Sequence, residues 1–140
     1  MGIPVLIMNK FKKIGGIIIR DKKILVVRKK GTDTFIIPGG RVEKEETSEQ
    51  TLKRELFEEL KVKVLSLKYF GVFTEPAAFE KDTLVELEIY NVMIIGEPLT
   101  SSEIKEYKWV DNSYKDNGIK LGSVLEKYVL PKLAEQGLIK

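Results

Sequence analysis

Apolar positions along the chain follow two different periods. They run almost unbroken through Ile14-Gly-Gly-Ile-Ile-Ile-Arg20 and Ile24-Leu-Val-Val-Arg28, parted by the polar Asp21 to Lys23. Such runs predict two strands joined by a turn, buried on both faces. A first strand is expected over Val5 to Met8, and a short one over Phe35 to Ile37 leads to Pro38-Gly39-Gly40. From Thr47 to Leu60 the period becomes helical. Leu52, Leu56, Phe57 and Leu60 share one stripe, no Gly or Pro intervenes, and Thr47 with Gln50 fits a capping box. Alternation then returns. Val62 to Phe73 reads as a long strand and Glu75 to Asp82 as a loop or hairpin tip. Leu84 to Ile94 reads as a strand with Val85, Leu87 and Ile89 on one face and Glu86, Glu88 and Tyr90 on the other. A loop at Pro98 to Ser102 precedes a last strand, Glu106 to Val110. A closing helix is expected near Ser123, with Glu126 completing a second capping box and Gly137 as the residue just past its end. Val124, Tyr128, Leu130 and Leu133 form its apolar side, and Pro131 should kink or split it. Strands interrupted by one helix and closed by another predict an α/β sandwich.

The second face of the middle helix adds chemistry to this picture. Glu55, Glu58 and Glu59 stand at i, i+3 and i+4, where like charges repel, and Arg54 is the cation closest to them on the helix. The cluster follows on Gly39-Gly40, a turn that admits close backbone approach. Hard divalent cations such as Mg²⁺ take oxygen ligands, commonly a few carboxylates with waters and substrate phosphates.

Composition narrows the options. The chain has 140 residues, the length of a single domain over 1–140, with 43% hydrophobic and 32% charged residues. It has no Cys and no His, which removes disulfides, thiolate nucleophiles, His-dependent triads and His-ligated metals. Acid–base chemistry at neutral pH must then come from carboxylates, Lys, Tyr or metal-bound water. The absence of Cys suits a reducing cytoplasm. Net charge is +3 with the bases scattered, so no nucleic-acid footprint is indicated, while polyanionic small molecules are favoured. Met1 to Lys12 is too short and too interrupted for a signal peptide or a membrane span, and a homodimer is compatible with the sequence.

The stretch Gly40 to Val62 resembles the signature of the Nudix hydrolases, which act on a nucleoside diphosphate linked to another moiety. That signature is G-x5-E-x7-R-E-U-x-E-E-x-G-U, with U a bulky apolar residue. Gly40, Glu46, Arg54-Glu55-Leu56, Glu58-Glu59 and Val62 match it, and Lys61 stands in place of the family glycine. The resemblance implies the Nudix fold, a mixed β-sheet sandwiched between helices with a loop–helix–loop catalytic motif. It implies Mg²⁺, with Mn²⁺ as a substitute, and a nucleotide-type substrate. It further implies Glu55, Glu58, Glu59 and the Gly39 carbonyl as metal ligands, with Glu55, Arg54 and Glu103 as catalytic residues. Glu55 is ligand or base, Glu103 is a further ligand or base with Glu106 as second choice, and Arg54 pairs with Glu46 or Glu43. Arg28, Arg41 and Phe35 are the substrate-binding candidates, and Phe73, Phe79 and Trp109 are further aromatics suited to stack on a base. Pro76 lies where ADP-ribose-cleaving members carry a proline, whereas mutator-type members that act on (d)NTPs share this size and layout. The alternative is a Nudix-fold nucleotide-binding module that has lost catalysis, with Lys61 as its mark.

Overall fold

A computed structural model of the chain describes residues 9–77 and 80–140. The expected strand over Val5 to Met8, and Phe79, lie outside the described residues.

The apolar run after Lys13 forms one continuous path that serves two sheets. β1 (Asn9–Ile17) and β2 (Ile19–Arg20) are separated at Ile18, and β3 (Lys23–Lys29) turns back antiparallel to β2. The sequence predicts a single strand here; the break at Ile18 lets the first half pair with one sheet and the second half with another. β4 (Thr34–Ile36) lies beside β3, and β5 (Gly39–Arg41) lies antiparallel to β1. The Gly-Gly turn is therefore a short strand. α1 (Ser48–Leu60) follows, then β6 (Lys63–Pro76), β7 (Thr83–Ile95), β8 (Ile104–Val110) and β9 (Lys120–Leu121). One sheet has the order β5-β1-β7-β6, with β1 parallel to β7. The other has the order β2-β3-β4-β9, with β8 on the free edge of β3. The mixed α+β architecture agrees with the predicted fold class.

Two apolar cores explain the near-continuous run in β3. Ile24 and Val26 point into a core shared with Ile17, Ile89, Leu125 and Leu133, while Leu25 and Val27 point into a core with Leu52, Leu56 and Leu60 of α1. Both faces of β3 are thus buried, as alternation along a strand covered on each side requires.

α1 begins with the predicted capping box. The Gln50 N–H donates to Thr47 Oγ1 at 3.1 Å, and the Thr47 N–H donates to Gln50 Oε1 at 2.9 Å. It ends at Lys61, which has φ 57° and ψ 32° and whose N–H donates to the Phe57 carbonyl. Its buried stripe differs from expectation at one place: Phe57 is 50% exposed and Thr51 is buried in its stead.

The closing segment is helical from Ser123, but without the predicted capping box. The first backbone bond runs from the Glu126 N–H to the Gly122 carbonyl, so Ser123 is already inside the helix. Its hydroxyl donates to Glu75, and the Glu126 carboxylate accepts from Tyr114. Pro131 is expected to kink or split the helix; the helical run instead continues from Ser123 through Pro131 to Glu135 and changes form ahead of the proline. A π-helical turn (Leu125–Val129), closed by the Leu130 N–H on the Leu125 carbonyl, precedes α2 (Leu130–Glu135). The wider turn fits a site where proline supplies no N–H to the ladder. Gly137, at φ 73°, ends α2 with its N–H on the Ala134 carbonyl and the Leu138 N–H on the Leu133 carbonyl, a Schellman motif. Among the described residues no helix is long and apolar enough to cross a membrane.

Candidate active site

The site is built where the loop before α1 folds back on the helix. Arg54 organises it. Its Nε and Nη2 donate to the two Glu46 carboxylate oxygens at 2.7 and 2.9 Å, a bidentate pair that fixes the guanidinium. Nη2 also donates to the Arg41 carbonyl at 3.2 Å, and Nη1 reaches Glu55 at 2.7 Å, Glu58 at 3.3 Å and Glu43 at 3.6 Å. Both predicted partners, Glu46 and Glu43, are present. Glu46 is further pinned by the Thr51 hydroxyl and by the Glu43 N–H. Its carboxyl is held at about 2, chiefly by the hydrogen bond from Arg54.

Two glycines let the strand come close. Gly39 has φ 149°, and a side chain there would collide with the Ile14 carbonyl. A Cβ on Gly40 would occupy the space of the Glu55 carboxylate. The Gly39 N–H donates to Glu59 Oε1 at 2.9 Å, tying β5 to the last turn of α1.

Glu103 arrives from the far end of the chain. The Leu99 N–H donates to the Leu60 carbonyl and the Ser101 N–H to the Glu59 carbonyl, so the segment before β8 is laid across the end of α1. The Lys30 N–H then holds the Glu103 carbonyl at 2.9 Å. The result is a cavity of about 350 Å³ whose lining includes Glu43, Glu55, Glu58, Glu59 and Glu103, with Lys13, Lys29 and Arg41 beside them.

The acids are under electrostatic tension. Glu59 is only 5% exposed, and burial, aided by Glu55 and Glu103, pushes its carboxyl up to about 7 against the Gly39 hydrogen bond and Lys29. Burial also raises Glu55, with Arg54 opposing and Glu58 reinforcing. Lys13 is lowered by burial and then by Lys29 and Arg41. Oxygen donors held together against repulsion fit a hard divalent cation. Among the described residues no three carboxylates converge on one point. Arg54 draws Glu55 and Glu58 to one side, while Glu59 is turned toward the Gly39 N–H.

A second chamber adjoins the first. It measures about 260 Å³ and shares Lys13, Lys29 and Gly40 with the acid cavity. Its walls include Phe73, Pro76, Val85, Leu87, Val124 and Leu125. Pro76 and Phe73 thus face a cavity, and Phe73 also stacks on Tyr128 at 4.9 Å.

The other substrate-binding candidates are placed differently. Arg28 is engaged by Glu106 at 2.8 Å and by the Thr32 carbonyl, and it lines a separate depression with Phe35, Lys108 and Trp109. Glu106 is therefore occupied away from the acids, while Glu103 is among them. Phe35 is 4% exposed and belongs to the core. Trp109 carries the Arg20 guanidinium over its ring. Arg41 lines the acid cavity while lying over Phe11 at 3.6 Å and reaching Glu80. Sequence reasoning missed Lys29 and Lys13. Alternation along β3 carries the face of Leu25 and Val27, which meets α1, on to Lys29 beside the acids, and leaves Arg28 on the other face.

The fold and this loop–helix–loop match known proteins. A family model described as the NUDIX domain matches residues 10–113. The chain belongs to the Nudix family. A curated relative from Methanocaldococcus jannaschii, described as an ADP-ribose pyrophosphatase, is 34% identical over 103 residues, covering 70% of this chain and 60% of that protein. The chain thus matches less than two thirds of that relative's length. Among solved structures, the MutT protein from Methanosarcina mazei Go1 superposes with a TM-score of 0.74 at 17% identity, covering 94% of this chain and 97% of that one. The E. coli ORF135 protein superposes with a TM-score of 0.72 at 24% identity, covering 94% and 96% respectively. These likenesses establish a shared fold.

Proposed function

We propose that the chain hydrolyses a phosphoanhydride bond of a nucleoside diphosphate derivative, with a divalent ion, Mg²⁺ or Mn²⁺, as cofactor. The observation that carries this reading is the meeting of Glu55, Glu58, Glu59 and Glu103 in one cavity that shares Lys13 and Lys29 with an apolar chamber. Glu55 and Glu59 are the principal metal ligands, with Glu58 and the Gly39 carbonyl in support. Glu103 is a further ligand or the general base. A bound divalent ion supplies neutralisation of phosphate charge and activation of water. Arg54 positions Glu55 and locks the loop through Glu46. The apolar chamber takes the nucleoside end, and the two lysines face the phosphates.

Of the (d)NTP and ADP-ribose or nucleotide-sugar classes, the second is favoured. The relative described as an ADP-ribose pyrophosphatase supports it, as does Pro76 in the chamber wall. Product release from ADP-ribose, nucleotide sugars, dinucleoside polyphosphates and (d)NTPs, measured with Mg²⁺, tests the proposal. Faster hydrolysis of ADP-ribose than of every (d)NTP is expected. Nucleotide binding without turnover of any of these would instead identify a binding module.

A further inference from the structure

We propose that Lys13 is a specificity-determining residue, whose ammonium group receives the phosphate attached to the moiety held in the apolar chamber. The inference uses the same site as the proposed hydrolysis, but it concerns binding and stands without turnover.

The cations of β1 are disposed differently on its two faces. Lys10 and Lys12 reach Glu86 and Glu88 of β7 at 3.4 and 2.8 Å. Lys13, on the opposite face, stands across from Leu87 of β7 and Arg41 of β5. Its side chain lines both the acid cavity and the apolar chamber. Among the described residues it has neither a carboxylate partner nor a hydrogen bond. Its companion at this border, Lys29, lies 3.9 Å from Glu103. Glu59 and Glu55 attract the Lys13 ammonium only from across the cavity while Lys29 and Arg41 repel it, so a ligand that brings an anion into direct contact relieves a costly half-buried charge.

The chamber shows which part of the ligand the anion must be attached to. Its walls are apolar apart from the Glu75–Ser123 pair, and its cationic border is Lys13 with Lys29. A ring system enters such walls, and the Glu75 carboxylate accepts a hydrogen bond from it. A phosphate carried by that moiety comes to lie against Lys13. Lys13 therefore separates a phosphorylated nucleoside from the bare nucleoside, which fills the same walls without it.

The test is calorimetric titration with ADP and with adenosine, in EDTA so that no metal enters. Wild type, Lys13→Met, Lys13→Arg and the surface control Lys53→Met are compared. Loss of one charge-assisted contact predicts that Lys13→Met weakens ADP roughly 10- to 100-fold and leaves adenosine within about twofold. Lys13→Arg should recover most of the loss, and Lys53→Met should match wild type. An equal loss for ADP and adenosine would show that Lys13 only shapes the chamber, and unchanged ADP binding in Lys13→Met would also overturn the proposal. So would failure of wild type to bind ADP. Absence of turnover with Mg²⁺ would remove the hydrolase reading alone, because the titration is independent of catalysis.

Discussion

Glu59 concentrates the opposing forces of the site in one side chain. It is almost fully buried, faces Glu55 and Glu103, and is held by a single backbone N–H. Its carboxyl moves from 4.5 up to about 7 on folding, so the folded chain binds a proton that the unfolded chain has lost across that interval. Stability then falls as pH rises through the interval, by on the order of 3 kcal/mol once Glu59 is ionised. Glu55 acts in the same sense. Glu46, held at about 2, acts oppositely, and its contribution is lost only as pH falls below the usual carboxylate range. Melting curves in EDTA should therefore show lower stability at pH 8 than at pH 5.5. Glu59→Gln keeps an oxygen for the Gly39 N–H and removes the charge, so it should flatten that slope and raise the pH 8 melting temperature. The same variant should lose turnover by orders of magnitude. A pH slope identical to wild type would show that Glu59 is not the titrating group. A second comparison concerns the loop acid. Glu103→Gln should depress turnover well beyond Glu106→Gln, because Glu106 is spent on Arg28; the reverse order would remove Glu103 from the site.

At the scale of the element, α1 was the most legible part of the chain. The capping box, the helix end at Lys61 and the pairing of Arg54 with Glu46 are all local, set by residues within a few turns of one another. Phe57 departs from the expected stripe because helical period alone does not show where the buried face ends. It lies at the margin, with the Lys61 ammonium over its ring at 4.9 Å. The closing helix was harder. Ser123 and Glu126 have the spacing of a capping box, yet each finds a partner distant in sequence, Glu75 and Tyr114. Lys61 carries the prediction of this scale. A residue with a Cβ in the left-handed region is strained by roughly 1–2 kcal/mol. The cation at the helix end returns about 0.3–1 kcal/mol, and its place over Phe57 about 0.5–1 kcal/mol. These nearly cancel, so Lys61→Gly should be neutral or stabilising by less than about 1 kcal/mol. Turnover should be unchanged, since Lys61 does not line the acid cavity. Chemical denaturation with a parallel rate measurement checks both halves. An inert wild type revived by Lys61→Gly would make the lysine the mark of lost catalysis.

At the scale of the whole molecule, the site depends on contacts that no local pattern contains. The two-sheet path of β1 and β2 and the placement of the loop after β7 across the end of α1 rest on pairings distant in sequence, as does the packing that sets the Lys29 face of β3, rather than the Arg28 face, against α1 and the acids. This explains why the acids of α1 could be read from sequence while Lys13 and Lys29 could not. It also means that the acid cluster exists only when both sheets and α1 are assembled, for Glu103 is brought to Glu59 by the tertiary fold alone. A divalent ion that binds this cluster therefore binds the folded state and stabilises it by RT ln(1 + [M]/Kd), about 2.7 kcal/mol at a hundredfold excess over Kd. Millimolar Mg²⁺ should raise the melting temperature above its value in EDTA, and more at pH 8 than at pH 5.5, where a protonated Glu59 is a poorer ligand. Glu59→Gln should lose most of the increment and Glu106→Gln should keep it. A melting temperature unmoved by Mg²⁺ and by Mn²⁺ at pH 8, with wild type folded, would show that these carboxylates do not form a metal site.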